Sequence, residues 1–140
     1  MASWLLWSLL SAVFAGATAV LTKVGVEGIS SNLAFAIRTT VVLLFSWTIV
    51  KATGTPLSFA SIPKRAWIFL VISGFATALS WLCYFRALQL GPASKVAPID
   101  KVSVIIVIAL SALFLHEPVG WKQWAGAALI AGGAMILTLK

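Results

Sequence analysis

The fold of this chain is decided by residues 66–85, whose sequence is AWIFLVISGFATALSWLCYF. These twenty residues contain no charged side chain, and Arg65 and Arg86 close the run at its two ends. An α-helix of about 20 apolar residues is about 30 Å long, which is the thickness of the hydrocarbon core of a bilayer. The run therefore predicts a transmembrane helix.

The composition of the whole chain agrees with this prediction. Of the 140 residues, 61% are hydrophobic and 9% are charged, whereas about 25% of the residues of a soluble domain are charged. Such a chain has too few polar side chains to cover a surface that faces water on all sides. This excludes a soluble enzyme, a secreted disulfide-rich module and a disordered tail.

Four further apolar segments accompany residues 66–85. We predict one domain over 1–140 with five helices, at about 4–22, 32–50, 66–89, 97–115 and 121–139. Short turn-forming segments such as Gly91-Pro92 separate the helices, and Asn32 is the expected N-cap of the second one. The first helix is expected to be retained rather than cleaved, because no Lys or Arg precedes its apolar core. The expected fold class is an all-α membrane protein with five transmembrane helices.

The ten Lys and Arg residues outweigh the three acidic residues and give a formal net charge of +7. In a soluble protein this excess would favour nucleic-acid binding. Here the cations stand singly or in pairs at the ends of apolar runs, where they anchor helices among the lipid headgroups, so no nucleic-acid partner is expected. The expected anchors are Lys51, Lys64, Arg65, Lys122 and Lys140.

The five predicted spans place the two termini on opposite sides of the membrane. Four Lys and Arg residues fall on the N-terminal side, and five fall on the other side, or six with Arg38. Because this division is nearly even, the positive-inside rule predicts no single orientation for the chain. Two oppositely inserted copies would be related by an axis in the membrane plane, as are the halves of many secondary transporters. We therefore expect an antiparallel homodimer of ten helices; the alternative is a single orientation with a symmetric dimer or an unrelated partner.

Residues 84–100, YFRALQLGPASKVAPID, resemble the junction between the third and fourth helices of the EamA domain, in the drug/metabolite transporter superfamily. LHEP at 115–118, WAGAALI at 124–130 and Gly132-Gly133 resemble the last hairpin of that domain, and TKVG at 22–25 followed by Arg38 resembles its opening. The resemblance covers essentially the whole chain. Most members carry two such domains, so a single copy is similar to the small five-helix bacterial and archaeal branch.

The resemblance implies transport of a small organic metabolite or drug, commonly export, across the cytoplasmic (inner) membrane. It also implies that a second copy supplies the missing half. The small four-helix multidrug relatives carry protons on a Glu in their first helix. The first two helices of this chain contain no acidic residue, so that mechanism is not expected here.

Polar side chains recur at helical spacing on three helices. On the first helix we expect them to serve close packing, since small residues let membrane helices approach, with a solute pathway as the alternative. On the third and fourth helices we expect a solute pathway, with close packing as the alternative. The pathway candidates are Arg38, Ser73, Thr77, Ser80, Trp81, Tyr84, Asp100, Lys101 and Ser103. On the fifth helix, a packing or dimer face is expected at Gly126, Ala128, Gly132 and Gly133.

Arg38 and Asp100 are expected at similar depths. Arg38 lies about seven residues into its helix, or roughly 10 Å. The segment 102–115 is too short to span by itself, which draws Asp100 towards the hydrocarbon boundary. We expect the two residues to pair or to contact solute together. The alternative is that Arg38 reaches lipid phosphate and Asp100 caps the fourth helix.

Catalytic and metal-binding motifs are not found in the sequence. Cys83 is the single cysteine and His116 the single histidine of the sequence, and no Ser-His-Asp set or phosphate-binding Gly loop is present. Neither an enzyme nor a cofactor is expected, and the expected partners are a small-molecule solute and membrane lipid. We therefore expect a secondary transporter that works by alternating access. The alternatives are a non-transporting subunit of another small transporter or lipid-handling complex, and a lipid flippase.

Overall fold

The computed structural model describes residues 3–139, which are helical apart from turns and connecting loops and contain no strand. Lys140, one of the expected anchors, lies outside the described residues, as do the first two residues of the expected domain. The helices are α1 (Ser3–Gly25), α2 (Ser31–Ala52), α3 (Lys64–Leu90), α4 (Ala93–Asp100), α5 (Ser103–Leu110) and α6 (Trp121–Ile136), with a 3₁₀ turn at Phe59–Ser61 and a π-helical turn at Ser111–Leu115.

Four helical segments are long and apolar enough to cross a membrane: Ser3–Gly25, Ser31–Ala52, Lys64–Leu90 and Ala93–Leu115. Large apolar side chains are exposed along them; Trp7 and Phe75, for example, are each 70% exposed. Contiguous apolar surface of this extent suits hydrocarbon rather than water. The prediction of an all-helical membrane protein is therefore confirmed.

The last predicted span, 121–139, is not one continuous α-helix. α6 ends at Ile136, and the N–H groups of Thr138 and Leu139 donate to the carbonyls of Met135 and Ile136, three residues earlier, at 3.0 and 3.1 Å. The 16 residues of α6 rise only about 24 Å, and the tighter terminal turn adds roughly 6 Å. This helix reaches the thickness of a bilayer core only with its terminal turn.

The fourth predicted helix, 97–115, differs from the observed one at its start and in its middle. α4 begins four residues earlier, at Ala93, because the Pro92 carbonyl accepts the N–H groups of Lys95 and Val96 at 3.0 and 3.1 Å. Pro98 lies inside α4 and cannot donate to the carbonyl four residues before it. The bonds that follow run to carbonyls three residues back, as from Lys101 to Pro98 at 3.0 Å, and the α-helix is interrupted between α4 and α5.

The start of α2 corrects a second prediction. The helix begins at Ser31, and Ser30 occupies the N-cap position in an extended conformation. The Ser30 carbonyl accepts the N–H of Ala34 at 3.0 Å. Asn32 lies inside the first turn, so the prediction that it caps the helix is wrong.

The chain divides into two compact units. In residues 25–89, α2 and α3 form an antiparallel hairpin. Phe35 packs edge-on against Phe85, with ring centroids 5.9 Å apart, while at the opposite end Phe59 lies 6.3 and 6.4 Å from the rings of Trp47 and Trp67. We call this unit the α2–α3 unit.

The second unit comprises the described part of residues 1–24 and 90–140. In this unit α6 packs against α4 and α5. The buried side chains of α6 are Ala127, Ala131 and Ala134. Because they are spaced by four and three residues, they form one face of the helix. Methyl groups on that face allow the helices to approach closely.

Candidate functional site

Arg38 of α2 lies against two aromatic rings of α3. Its guanidinium carbon is 4.1 Å from the centroid of the Trp81 ring and 5.5 Å from that of Phe85. Trp81 and Phe85 are four residues apart and therefore share a face of α3, while Phe35 and Arg38 share the facing side of α2. The side chain of Arg38 is half-buried, and Phe85 is buried. We call Arg38, Trp81 and Phe85 the Arg38 site.

The charge of this site is not balanced within the α2–α3 unit. Glu27 is the only acidic residue among residues 25–89, and Arg38 forms no ion pair with it. An arginine at the centre of a membrane helix costs about 2.5–3.5 kcal/mol on insertion scales. A cation–π contact contributes about 0.5–2 kcal/mol. The aromatic rings therefore offset only part of the cost of the charge.

The hydroxyl stripe predicted on α3 lies beside the Arg38 site rather than in it. Ser73, Thr77 and Ser80 are exposed, and the Thr77 hydroxyl donates to the Ser73 carbonyl at 2.9 Å. At about 100° per residue, this stripe is turned by roughly 60–120° from the face that carries Trp81 and Phe85. Tyr84 continues the stripe one turn after Ser80; it is half-buried and interacts electrostatically with Arg38.

The remaining pathway candidates cluster where α4 ends and α5 begins. Lys101 Nζ lies 3.3 Å from Asp100 Oδ2 in an exposed ion pair, which is expected to contribute at most about 1 kcal/mol. Asp100 is the last residue of α4, so the alternative that it caps the start of a helix is wrong. Ser103 is exposed at the first position of α5. Arg38 and Asp100 belong to different compact units, and their pairing stays a prediction.

The predicted face of α6 differs from its buried face. Gly126 and Gly132 are half-buried, and Ala128 and Gly133 are exposed. A Cβ atom added at Gly126, Gly132 or Gly133 would meet no atom within 4 Å, so packing inside the chain does not require glycine there. The packing role inside the protomer belongs instead to Ala127, Ala131 and Ala134, and the dimer role of the predicted face stays a prediction.

Several polar contacts were not predicted from the sequence. Lys95 Nζ donates to the Thr138 carbonyl at 3.2 Å, between the start of α4 and the turn after α6. Gln89 Nε2 donates to the Ile29 carbonyl at 2.8 Å, and Arg86 Nη1 donates to Gln89 Oε1 at 2.7 Å. Phe85 could have been found, because it lies one helical turn after Trp81. The bonds of Lys95 and Gln89 join residues 43 and 60 positions apart, and no local spacing indicates them.

A hollow of about 520 Å³ lies at the other end of the α2–α3 unit, and it contains none of the predicted pathway residues. It is lined by Trp47, Val50, Lys51, Gly54, Thr55 and Leu57. Aromatic and lysine side chains at the end of a membrane helix are typical of the headgroup region. Among residues 3–139, no group of three or more His, Cys, Asp or Glu side chains is placed to hold a metal ion.

Comparison with known proteins matches residues 2–139 to the EamA-like transporter family. The chain belongs to this family. A relative from Sinorhizobium sp., named "Uncharacterized transporter in cobO 3'region", is 50% identical over 137 residues, which are 98% of this chain and 97% of the relative. The resemblance inferred from residues 84–100 is thus confirmed, as is the transporter class at the level of the family, which favours a non-enzymatic role.

Two further relatives match about half of this chain each. The "Uncharacterized transporter YvbV" of Bacillus subtilis is 39% identical over 71 residues, which are 51% of this chain and 23% of YvbV. A protein of Aeromonas salmonicida, named "Probable 4-amino-4-deoxy-L-arabinose-phosphoundecaprenol flippase subunit ArnE", is 32% identical over 69 residues, which are 49% of this chain and 60% of that protein. No solved structure matches the chain.

Proposed function

We propose that this EamA-family chain is half of a secondary transporter that moves a small organic solute across the cytoplasmic membrane by alternating access. The observation that carries the proposal is the family match over residues 2–139. The Sinorhizobium relative named as a transporter has nearly the same length, since the alignment covers 97% of it. This supports a transporter that is built from chains of about this size.

The other half of the transporter is a second, oppositely inserted copy of this chain. YvbV, also named as a transporter, is more than twice as long as this chain, because the matched 71 residues are 23% of it. A homodimer would restore that size. In such a ten-helix dimer, α6 and its terminal turn cross the membrane as the fifth span of each copy. The nearly even division of Lys and Arg between the two sides favours insertion in both orientations.

The solute pathway in this proposal uses polar groups that are exposed or half-buried within one protomer. The hydroxyls of Ser73, Thr77 and Ser80 can bond to a solute or to the second copy, while the Arg38 site and the Asp100–Lys101 pair supply charge. In lipid, such groups are costly unless they face protein or a water-filled cavity. An inverted dimer that encloses them would open alternately to either side.

Transport by the purified protein tests the proposal. The protein is reconstituted alone into vesicles loaded with radiolabelled amino acids, organic acids or organic cations, and counterflow is measured. We expect saturable flux of at least one class, reduced about tenfold or more in Arg38→Gln because the charge in the pathway is lost. Lys122→Gln, which changes an expected lipid anchor, serves as the matched control. Flux no greater than in protein-free vesicles, for every class, would contradict the proposal.

The similarity to the ArnE flippase subunit favours a second candidate function, in which this chain is one subunit of a lipid-handling complex. The same vesicles distinguish the two. Flux that appears only after a second, co-purified membrane protein is added would support the subunit function, whereas flux with this chain alone supports the homodimeric transporter.

A further inference from the structure

The three arginines of this chain all lie in the α2–α3 unit, but in different surroundings. Arg65 is exposed in the first turn of α3, with its guanidinium carbon 5.8 Å from the Phe69 ring. Arg86 is exposed and donates to Gln89 Oε1 at 2.7 Å. Arg38 is half-buried, about a third of the way along α2, and its contact with an aromatic ring is the closest, at 4.1 Å. Among the three arginines, Arg38 alone therefore holds its charge well inside a span.

The contacts of Arg38 fix its guanidinium without neutralising it. An aromatic ring over the guanidinium attracts the cation through its face. The five N–H groups of the guanidinium point outward in its plane, so the ring does not accept hydrogen bonds from them. Glu27, the one acidic residue of the α2–α3 unit, does not pair with it. A planar guanidinium whose position is fixed by stacking is well suited to bind a carboxylate or a phosphate through two parallel hydrogen bonds.

We propose that the Arg38 site binds the anionic group, a carboxylate or phosphate, of the solute. This inference rests on the proposed function, since the solute in question is the transported one. Anion binding would neutralise the charge of Arg38, which the α2–α3 unit leaves unpaired, and the charge of the solute at the same time. A lipid headgroup phosphate offers the same chemistry, and the experiment has to separate these two sources.

Arginine side-chain NMR provides a direct binding assay. The protein is produced with ¹⁵Nε-labelled arginine and studied in micelles of a maltoside, which is an uncharged detergent. Its three arginine signals are assigned with Arg38→Lys, Arg65→Lys and Arg86→Lys. Benzoate and phenyl phosphate are the anionic probes, and benzyl alcohol is the neutral probe of similar size. We expect both anions to shift the Arg38 signal saturably, benzyl alcohol to leave it in place, and Arg65 and Arg86 to serve as internal controls.

The lipid arm titrates a short-chain phosphatidylglycerol into the same micelles, with the phosphate-free diacylglycerol of equal chain length as its control. If only the phosphatidylglycerol shifts the Arg38 signal, while benzoate has no effect, the ligand is a lipid headgroup and the solute assignment is overturned. If no anion shifts the Arg38 signal, or if all three arginine signals shift alike, the site itself is refuted.

The aromatic part of the site is tested by Trp81→Leu and Trp81→Phe. Trp81→Leu is expected to weaken benzoate binding by about twofold to fivefold, because the stacking that orients the guanidinium is lost. Trp81→Phe keeps a ring and is expected to bind nearly as the parent does. Equal binding by Trp81→Leu and the parent would contradict the role of the stack. The NMR assay measures equilibrium binding and does not depend on transport. Anion binding without flux in vesicles would therefore refute the transporter but not this site. Flux of organic cations without anion binding would refute this site alone.

Discussion

At the scale of single residues, the position of an arginine along its helix determines how its charge is accommodated. Arg65, in the first turn of α3, is exposed, and an arginine at the end of a span can extend its charge into the headgroup region. Arg38, inside α2, packs its guanidinium against Trp81 and Phe85 instead. Arg38 and Trp81 were predicted as pathway candidates, whereas Phe85 was not. Because the contact joins residues on different helices, helical spacing could not show that they meet.

A double-mutant cycle between Arg38 and Trp81 measures this contact. Arg38→Met and Trp81→Leu, alone and together, are expected to show a coupling of about 0.5–2 kcal/mol in the free energy of unfolding in mixed micelles. Trp47 is the matched control, because it lies nine residues further along α2, about 13 Å away. A coupling of Arg38 with Trp81 no larger than that with Trp47 would show that the cation–π contact stabilises nothing.

At the scale of helices, the interruption between α4 and α5 is the main departure from the predicted fold. Prolines occur both at helix boundaries and, at a cost, inside helices, so Pro98 alone does not show which of the two applies. The sequence was interpreted as a boundary near residue 97, whereas the helix starts at Ala93 and is interrupted after Asp100. The length of the apolar segment predicted the fourth span but not the interruption of its α-helix between α4 and α5.

Pro98→Ala tests the cause of that interruption. An alanine at this position supplies an N–H for the Ser94 carbonyl, so bonds to carbonyls four residues back can continue through residues 101–105. We expect amide hydrogen exchange of residues 101–105 to slow by about fivefold, as one added hydrogen bond of about 1 kcal/mol implies.

Pro92→Ala is the control for this change, because Pro92 precedes the first turn of α4 and interrupts no bond within it. Exchange that slows equally in both variants would mean that Pro98 is not responsible for the break.

At the scale of the whole molecule, the open question is which surface a second copy would cover. Small residues occur all around α6, so their spacing could not select its buried face. Packing of α6 against α4 and α5 uses Ala127, Ala131 and Ala134 and leaves Gly133 exposed. The membrane spans, in contrast, could be predicted well from the sequence. The thickness of the bilayer sets the length of apolar helix that is needed, and an apolar run of that length can be recognised locally in the sequence.

Leucine substitutions on α6 separate packing within the protomer from dimerisation. Gly133→Leu is expected to leave the unfolding free energy of the protomer nearly unchanged, since even a Cβ there meets no atom within 4 Å. It is expected to weaken the dimer if helices of two copies meet at this face. The readouts are thermal unfolding and energy transfer between differently labelled copies.

Ala134→Leu is the matched variant on the buried face, where Ala134 is 3% exposed. Overpacking there is expected to cost the protomer about 1–3 kcal/mol. Undiminished energy transfer in Gly133→Leu would show that the predicted glycine face is not the dimer interface.

The central claim, that two oppositely inserted copies form one transporter, is tested most directly by the location of the C-terminus. The chain is fused at its C-terminus to green fluorescent protein, which fluoresces in the cytoplasm, and separately to alkaline phosphatase, which is active only outside it. We expect both fusions to give strong signals at equal expression, because the same chain inserts both ways. A signal from one fusion only would contradict the inverted homodimer.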